Sequence, residues 1–207
     1  MQLLDSILVI VVIVFSTVIH EVMHGVAADK LGDPTARLQG RLTLNPIPHL
    51  DMFGSILLPA LLALTNSPIF FGWAKPVPYN LYNLRPGQFS EAIVAGAGPF
   101  SNLAIALIGG TITRSGIFPG SESFFFLIVI VNVMLFLFNL IPVPPLDGSK
   151  VLEALLPRGL AYGYREWRMR MEHNPFLGIG LVVLAILFLG GAFGSFVYAV
   201  AHAITGL

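Results

Sequence analysis

Two histidines and a glutamate lie within five residues, His20-Glu21-Val22-Met23-His24. On a helix, positions i and i+4 share a face, so the two imidazoles can converge on one metal ion. Imidazole is a common zinc ligand, and Glu21, beside the first histidine, is placed to take a proton from an attacking water. The pattern by itself is common. Its setting is not: it lies within an apolar run, where ionisable side chains are costly and mark functional positions. The bland alternative is a polar helix face buried against other helices. A catalytic zinc site commonly takes three protein ligands and keeps one position open. The chain has no cysteine, so the third ligand is His, Asp, Glu or backbone. Asp147 stands in Asn139-Leu-Ile-Pro-Val-Pro-Pro-Leu-Asp-Gly148, after prolines that stop a helix and before a glycine that permits a tight turn. Its other reading is an N-cap for a helix beginning near Ser149. His49 and Asp51 are the rival ligands.

These residues must be positioned by membrane helices. Of 207 residues, 56% are hydrophobic and 11% charged, against roughly a quarter charged in soluble domains. Several apolar runs approach the ~18–20 residues needed to span a bilayer. The fold class is an all-α polytopic membrane protein, read as one domain over 1–207. Its catalytic core covers about 1–155, a cytoplasmic amphipathic stretch 149–175, and a C-terminal transmembrane segment 175–204. The formal net charge is zero, which leaves no basic footprint for nucleic acid. The N-terminal run lacks a basic flank and continues into His20, unlike a cleavable signal.

Segment one is residues 3–28. Segment two, 51–71, is interrupted by Pro59, Asn66 and Pro68. Before it, Arg41-Leu42-Thr43-Leu44-Asn45 alternates polar and apolar residues and is predicted as a strand, whose edge could pair with an unwound substrate. Segment three, 91–112, is rich in small residues that let membrane helices approach closely. Segment four is 124–141. Arg165, Arg168 and Arg170 are expected to face anionic headgroups, and Trp73 and Trp167 to anchor at the interface.

If His20 and Asp147 share a site, segments one and four end on the same side, so one intervening segment does not cross. Segment two is the expected re-entrant element, tolerated where protein covers it or it lines a wet cavity. This topology puts Lys30, Arg37, Arg41, Lys75, Arg85, Lys150, Arg158, Arg165, Arg168 and Arg170 on one side and Arg114 alone on the other. By the positive-inside rule that predicts about four spans, both termini outside, and a site open to the cytoplasm.

The paired motifs, His20-Glu21-Val22-Met23-His24 and Asn139…Pro142…Leu146-Asp147-Gly148, resemble the site-2 protease family of intramembrane metalloproteases. Asn45-Pro46, Gly72-Trp73-Ala74-Lys75-Pro76-Val77-Pro78, and Gly96-Ala97-Gly98-Pro99 with Asn102 are similar to its compact prokaryotic branch. The resemblance covers roughly residues 15–155. It implies one zinc ion per chain held by His20, His24 and Asp147, with Glu21 as general base. It also implies hydrolysis of peptide bonds in or near transmembrane segments of membrane-protein substrates, in a prokaryotic plasma membrane. Asn139 then holds the substrate or polarises its carbonyl; ordinary interhelical hydrogen bonding is the alternative. The expected substrate contacts are Leu42, Thr43, Leu44, Asn45 and Asn139. No room is expected for an added soluble domain, so the membrane core or a regulatory membrane partner selects the substrate. The other function classes are a metal-ion transporter, which should show repeated halves that this sequence lacks, and an inactive relative that binds membrane helices.

Overall fold

The structure is a computed structural model that describes residues 2–58, 61, 64–65 and 72–207. Its helices are α1 (Gln2–Lys30), α2 (Thr35–Leu38), α3 (Ser90–Ser115), α4 (Glu122–Asn139), α5 (Asp147–Leu155), α6 (Arg158–His173) and α7 (Pro175–Thr205). Among the described residues, α1, α3 and α4 are long and apolar enough to cross a bilayer. The 31-residue α7 carries the apolar C-terminal run.

Paired contacts fix the helix directions. Ser16, His20 and His24 of α1 meet Asn102 and Val94 of α3 in reverse order, so α1 and α3 are antiparallel. Asn102 meets Asn132, and Gly109 lies against Val129 and Ile128, so α4 runs against α3. Phe138 packs on Phe193 and Phe126 on His202, which makes α7 antiparallel to α4. The stretch between α1 and α3 therefore starts and ends at the same end of the bundle. Ala106, Val129, Val133, Val197 and Ala201 form the apolar centre shared by α3, α4 and α7.

The α1–α3 connection is organised by buried polar groups. Asp33, fully buried, accepts from the Thr35 backbone N–H and hydroxyl, the Asn80 N–H and the Asn83 side chain. Burial works to raise its pKa, but these donors outweigh it and hold the carboxyl below its usual range. Asp51 caps a π-helical turn, Met52–Leu57, by accepting from the Phe53 and Gly54 N–H groups. The expected re-entrant segment is described only in part, since residues 59–60, 62–63 and 66–71 lie outside the described set.

The expected strand at Arg41–Asn45 is not formed; Leu42, Thr43 and Leu44 are bends. Local bonds consume the groups a ladder would need. The Asn45 N–H donates to Thr43 Oγ1, the Ile47 N–H to Asn45 Oδ1, and the His49 ring to the Thr43 carbonyl. Short polar side chains thus offer the backbone a turn in place of a strand. Arg41 turns inward and donates to the Lys75 and Pro76 carbonyls. Residues 72–80 form an irregular strap tied to the same region by Trp73 N–H to the Gly54 carbonyl and Lys75 N–H to the His49 carbonyl.

The expectation for Arg168 is also corrected. Its side chain is only 4% exposed and pairs with Glu91 of α3, Glu153 of α5 and Glu172 of α6. Arg165 joins Glu153 as well. The planar guanidinium fork can serve three carboxylates at once, which headgroup contact at the surface would not require. Arg168 thereby clamps α6 across α3 and α5. Removing one partner from a buried ion pair costs about 3–5 kcal/mol, because the others are left uncompensated. Arg168→Gln should therefore lower the unfolding midpoint of the detergent-solubilised protein well below wild type, whereas Arg170→Gln on the exposed side of α6 should leave it nearly unchanged. Equal midpoints for the two variants would show that the network contributes nothing measurable.

Candidate metal centre

One helix face brings His20 and His24 together, as their spacing requires. Their rings meet edge to face at 4.7 Å. Asp147, the first residue of α5, is carried to them from the end of α4. It is therefore within its helix and does not cap one starting near Ser149. Gly148 makes this approach possible: a Cβ there would lie 2.2 Å from the Leu140 carbonyl oxygen. Asp147 Oδ2 stands 3.3 Å from His20 Nε2 and 3.2 Å from His24 Nε2, and all three residues are buried.

The hydrogen bonds behind the rings determine which atoms face one another. His24 Nδ1 lies 2.7 Å from the Val94 carbonyl, which can only accept, so Nδ1 carries the proton. His20 Nδ1 lies 2.6 Å from Asn102 Oδ1. Asn102 is oriented by its own donations to the Ser16 carbonyl and Asn132 Oδ1, and Asn132 in turn donates to Ser16 Oγ and the Ile128 carbonyl. Both imidazoles thus turn Nε2 to a carboxylate oxygen, and as neutral rings protonated on Nδ1 they offer it a lone pair. In that state three electron-pair donors converge in a buried site, an arrangement that a cation between them would stabilise. Zinc bonds of about 2.0–2.1 Å at tetrahedral angles separate ligand atoms by about 3.3 Å, which matches both observed distances. The backing Nδ1–H bonds are the usual outer shell of histidine ligands to metals.

A glycine leaves the required space. A Cβ on Gly98 of α3 would sit 2.5 Å from His24 Nε2 and 2.7 Å from His20 Nε2. These residues therefore fit zinc in donor chemistry, spacing and room.

A cavity of about 160 Å³ opens beside the three residues, lined also by Glu21, Pro76, Val77, Tyr79, Ala95, Asn139, Pro145, Leu146 and Lys150. Glu21 Oε2 accepts the Val77 N–H at 2.8 Å, so the strap meets the carboxylate next to the histidines. Asn139 lines the cavity and donates one amide hydrogen to the Leu135 carbonyl of its own helix. Leu42, Thr43, Leu44 and Asn45 are not part of the lining. Neither rival ligand joins the cluster: the His49 ring is committed to Thr43 and Asp51 to its cap.

Sequence reasoning left Asn132 unnoticed. The signal was available, since it is the sole polar side chain in the apolar run 124–138, and such a group needs a partner in the membrane. Lys150 was read as a topology marker. Its place in the cavity depends on the turn that reverses the chain at Asp147.

A helical membrane protein with a buried cluster of two histidines and an aspartate, flanked by a glutamate, has the architecture of a membrane metalloprotease. The family model for peptidase family M50 matches residues 111–171. The chain is 38% identical to "Putative zinc metalloprotease YwhC" of Bacillus subtilis, with 86% of this chain and 78% of that protein covered. It is 32% identical to "Putative zinc metalloprotease Rip2" of Mycolicibacterium smegmatis, over 71% of this chain and 56% of that one. No solved structure matches it. The chain belongs to peptidase family M50, the site-2 protease family, and is a zinc metalloprotease.

Proposed function

We propose that the chain is an intramembrane endopeptidase that cuts membrane-protein substrates within or near their transmembrane segments, with zinc held by His20, His24 and Asp147. The observation that carries this reading is the convergence of His20 Nε2 and His24 Nε2 on Asp147 Oδ2, at 3.3 and 3.2 Å, at a helix end inside a membrane bundle. When bound there, zinc supplies Lewis acidity for the scissile carbonyl and for water. The chain's own groups do the rest. The Val77 N–H orients Glu21, which takes the proton of the attacking water and passes it to the leaving amine. Asn139 has a second amide hydrogen to offer the substrate carbonyl from the cavity wall. Leu42, Thr43, Leu44 and Asn45 remain the proposed path of the unwound substrate, without a preformed strand.

We place the site toward the cytoplasm, in a multi-pass cell-membrane protein with four spans, α7 being the fourth. The antiparallel α1 and α3 support a connection that returns to its starting side. Ten of the eleven Lys and Arg residues fall at the site end. Arg114 is at the other end, bonded to the Ala203 and Ile204 carbonyls of α7.

The test uses detergent-purified protein and a substrate bearing one transmembrane segment. Glu21→Gln should retain its zinc yet cleave about 10²–10⁴-fold more slowly, the usual contribution of a positioned acid–base group. A Glu21→Gln variant that cleaves at the wild-type rate would remove Glu21 from the mechanism.

A further inference from the structure

Lys150 is one turn along α5 from Asp147, and its ammonium reaches the cavity rather than the surface. Nζ lies 3.7 Å from Asp147 Oδ1, the oxygen turned away from the histidines, and 5.9 Å from the centre of the Tyr79 ring. Its side chain is 17% exposed. A lysine ammonium is charged at neutral pH, and here it stands beside the Asp147 carboxylate.

The charge balance of the cavity suggests its purpose. With Nδ1 carrying the proton, a histidine that binds a metal through Nε2 is a neutral ligand. Glu21, Asp147 and Lys150 together carry one net negative charge, and a divalent cation converts this into one net positive charge. Without Lys150 the loaded site would be neutral. A net positive charge in a partly enclosed cavity favours a species that becomes more negative during the reaction. Peptide hydrolysis makes such a species. The water oxygen bonds to the carbonyl carbon, its proton goes to Glu21, and the carbonyl π pair moves onto oxygen as an oxyanion. Collapse re-forms the C=O bond and breaks C–N, and the nitrogen takes the proton from Glu21.

We propose that Lys150 is a further catalytic residue, whose ammonium donates to the oxyanion of the tetrahedral intermediate from the Asp147 side of the cavity. This rests on the metal site and general base proposed above. Lys150 has a donor to spare for this role: Asp147 and the Tyr79 hydroxyl engage two of its three ammonium hydrogens and leave one for the cavity. The ion pair also joins it to Asp147 Oδ1, so a positioning role is the competing explanation that the experiment must separate.

Lys150→Met and Lys150→Arg would be compared with wild type by zinc content, by kcat and KM on the transmembrane substrate, and by calorimetric affinity for two inhibitor peptides. One peptide carries a tetrahedral anionic phosphinate at the scissile position, and the other a neutral reduced amide. Lys150→Met should retain its zinc and its KM but lose about 10²–10³-fold in kcat, the usual cost of one oxyanion donor. It should also lose affinity for the phosphinate far more than for the reduced amide, and Lys150→Arg should recover part of both. Wild-type kcat in Lys150→Met would overturn the proposal. So would a loss of zinc with activity restored by added zinc, which would make Lys150 a positioning partner of Asp147. If Lys150→Met does not fold, the phosphinate preference of Lys150→Arg decides: a preference unchanged by moving the charge would also overturn it. Failure of the underlying reading is separable, because Glu21→Gln would then cleave normally while Lys150 variants remained informative on zinc.

Discussion

Purified in detergent, the wild-type chain should carry about one zinc ion, and His24→Ala and Asp147→Ala should each lose nearly all of it. Zinc sites built from several protein ligands bind with about 10–16 kcal/mol in total at neutral pH, so one ligand accounts for roughly 3 kcal/mol or more, at least a hundredfold in affinity. The two substitutions lie far apart in the sequence. His24 lies on the first helix, whereas Asp147 is brought to it only by the turn after α4. Parallel loss would establish that the site is closed in three dimensions and not by the local two-histidine pattern. Metal analysis after exhaustive dialysis gives the stoichiometry, and a competing chelator gives the affinity. Zinc retained in Asp147→Ala would remove the aspartate from the ligand set.

Gly98→Ala should abolish zinc binding as completely, although it removes no ligand. The added methyl would occupy the space between the two Nε2 atoms, at 2.5 Å from His24 and 2.7 Å from His20. The rings have little freedom to retreat, because Asn102 and the Val94 carbonyl hold their far sides. Overpacking of this kind costs about 1–3 kcal/mol in stability, so folding should survive while the cradle is filled. Gly96→Ala on the same helix is the control. Its Cβ would meet Phe100 at 3.5 Å, an ordinary contact, and zinc content should be unchanged. Full zinc in Gly98→Ala would mean that the α3 backbone does not form the wall of the metal cradle.

The local parts of this protein were legible before any fold was known. Helical periodicity puts His20 and His24 on one face whatever surrounds them, because i and i+4 always share one. The apolar runs state where helices can cross a membrane, because no other open backbone satisfies its hydrogen bonds there. Asp147 was legible as well, because its proline and glycine neighbours mark a forced reversal of the chain. The strand expected at Arg41–Asn45 was misread. Alternation of polar and apolar residues specifies a strand only when a ladder is present to pair with it. Here Thr43, Asn45 and His49 satisfy the backbone locally first.

The tertiary structure alone decided which polar groups are spent on structure and which are left for chemistry. Asn102, Asn132 and the Val94 carbonyl become the outer support of the histidines, and Arg168 moves from an expected headgroup contact to a buried clamp. Gly98 changes from one small residue among several into the empty space of the site. Lys150 changes from a topology marker into a cavity cation. The physical reason is common to all of these: a side chain's chemistry depends on the donors, acceptors and charges within a few ångströms. Periodicity reaches neighbours on the same helix, but only packing decides which helix lies opposite.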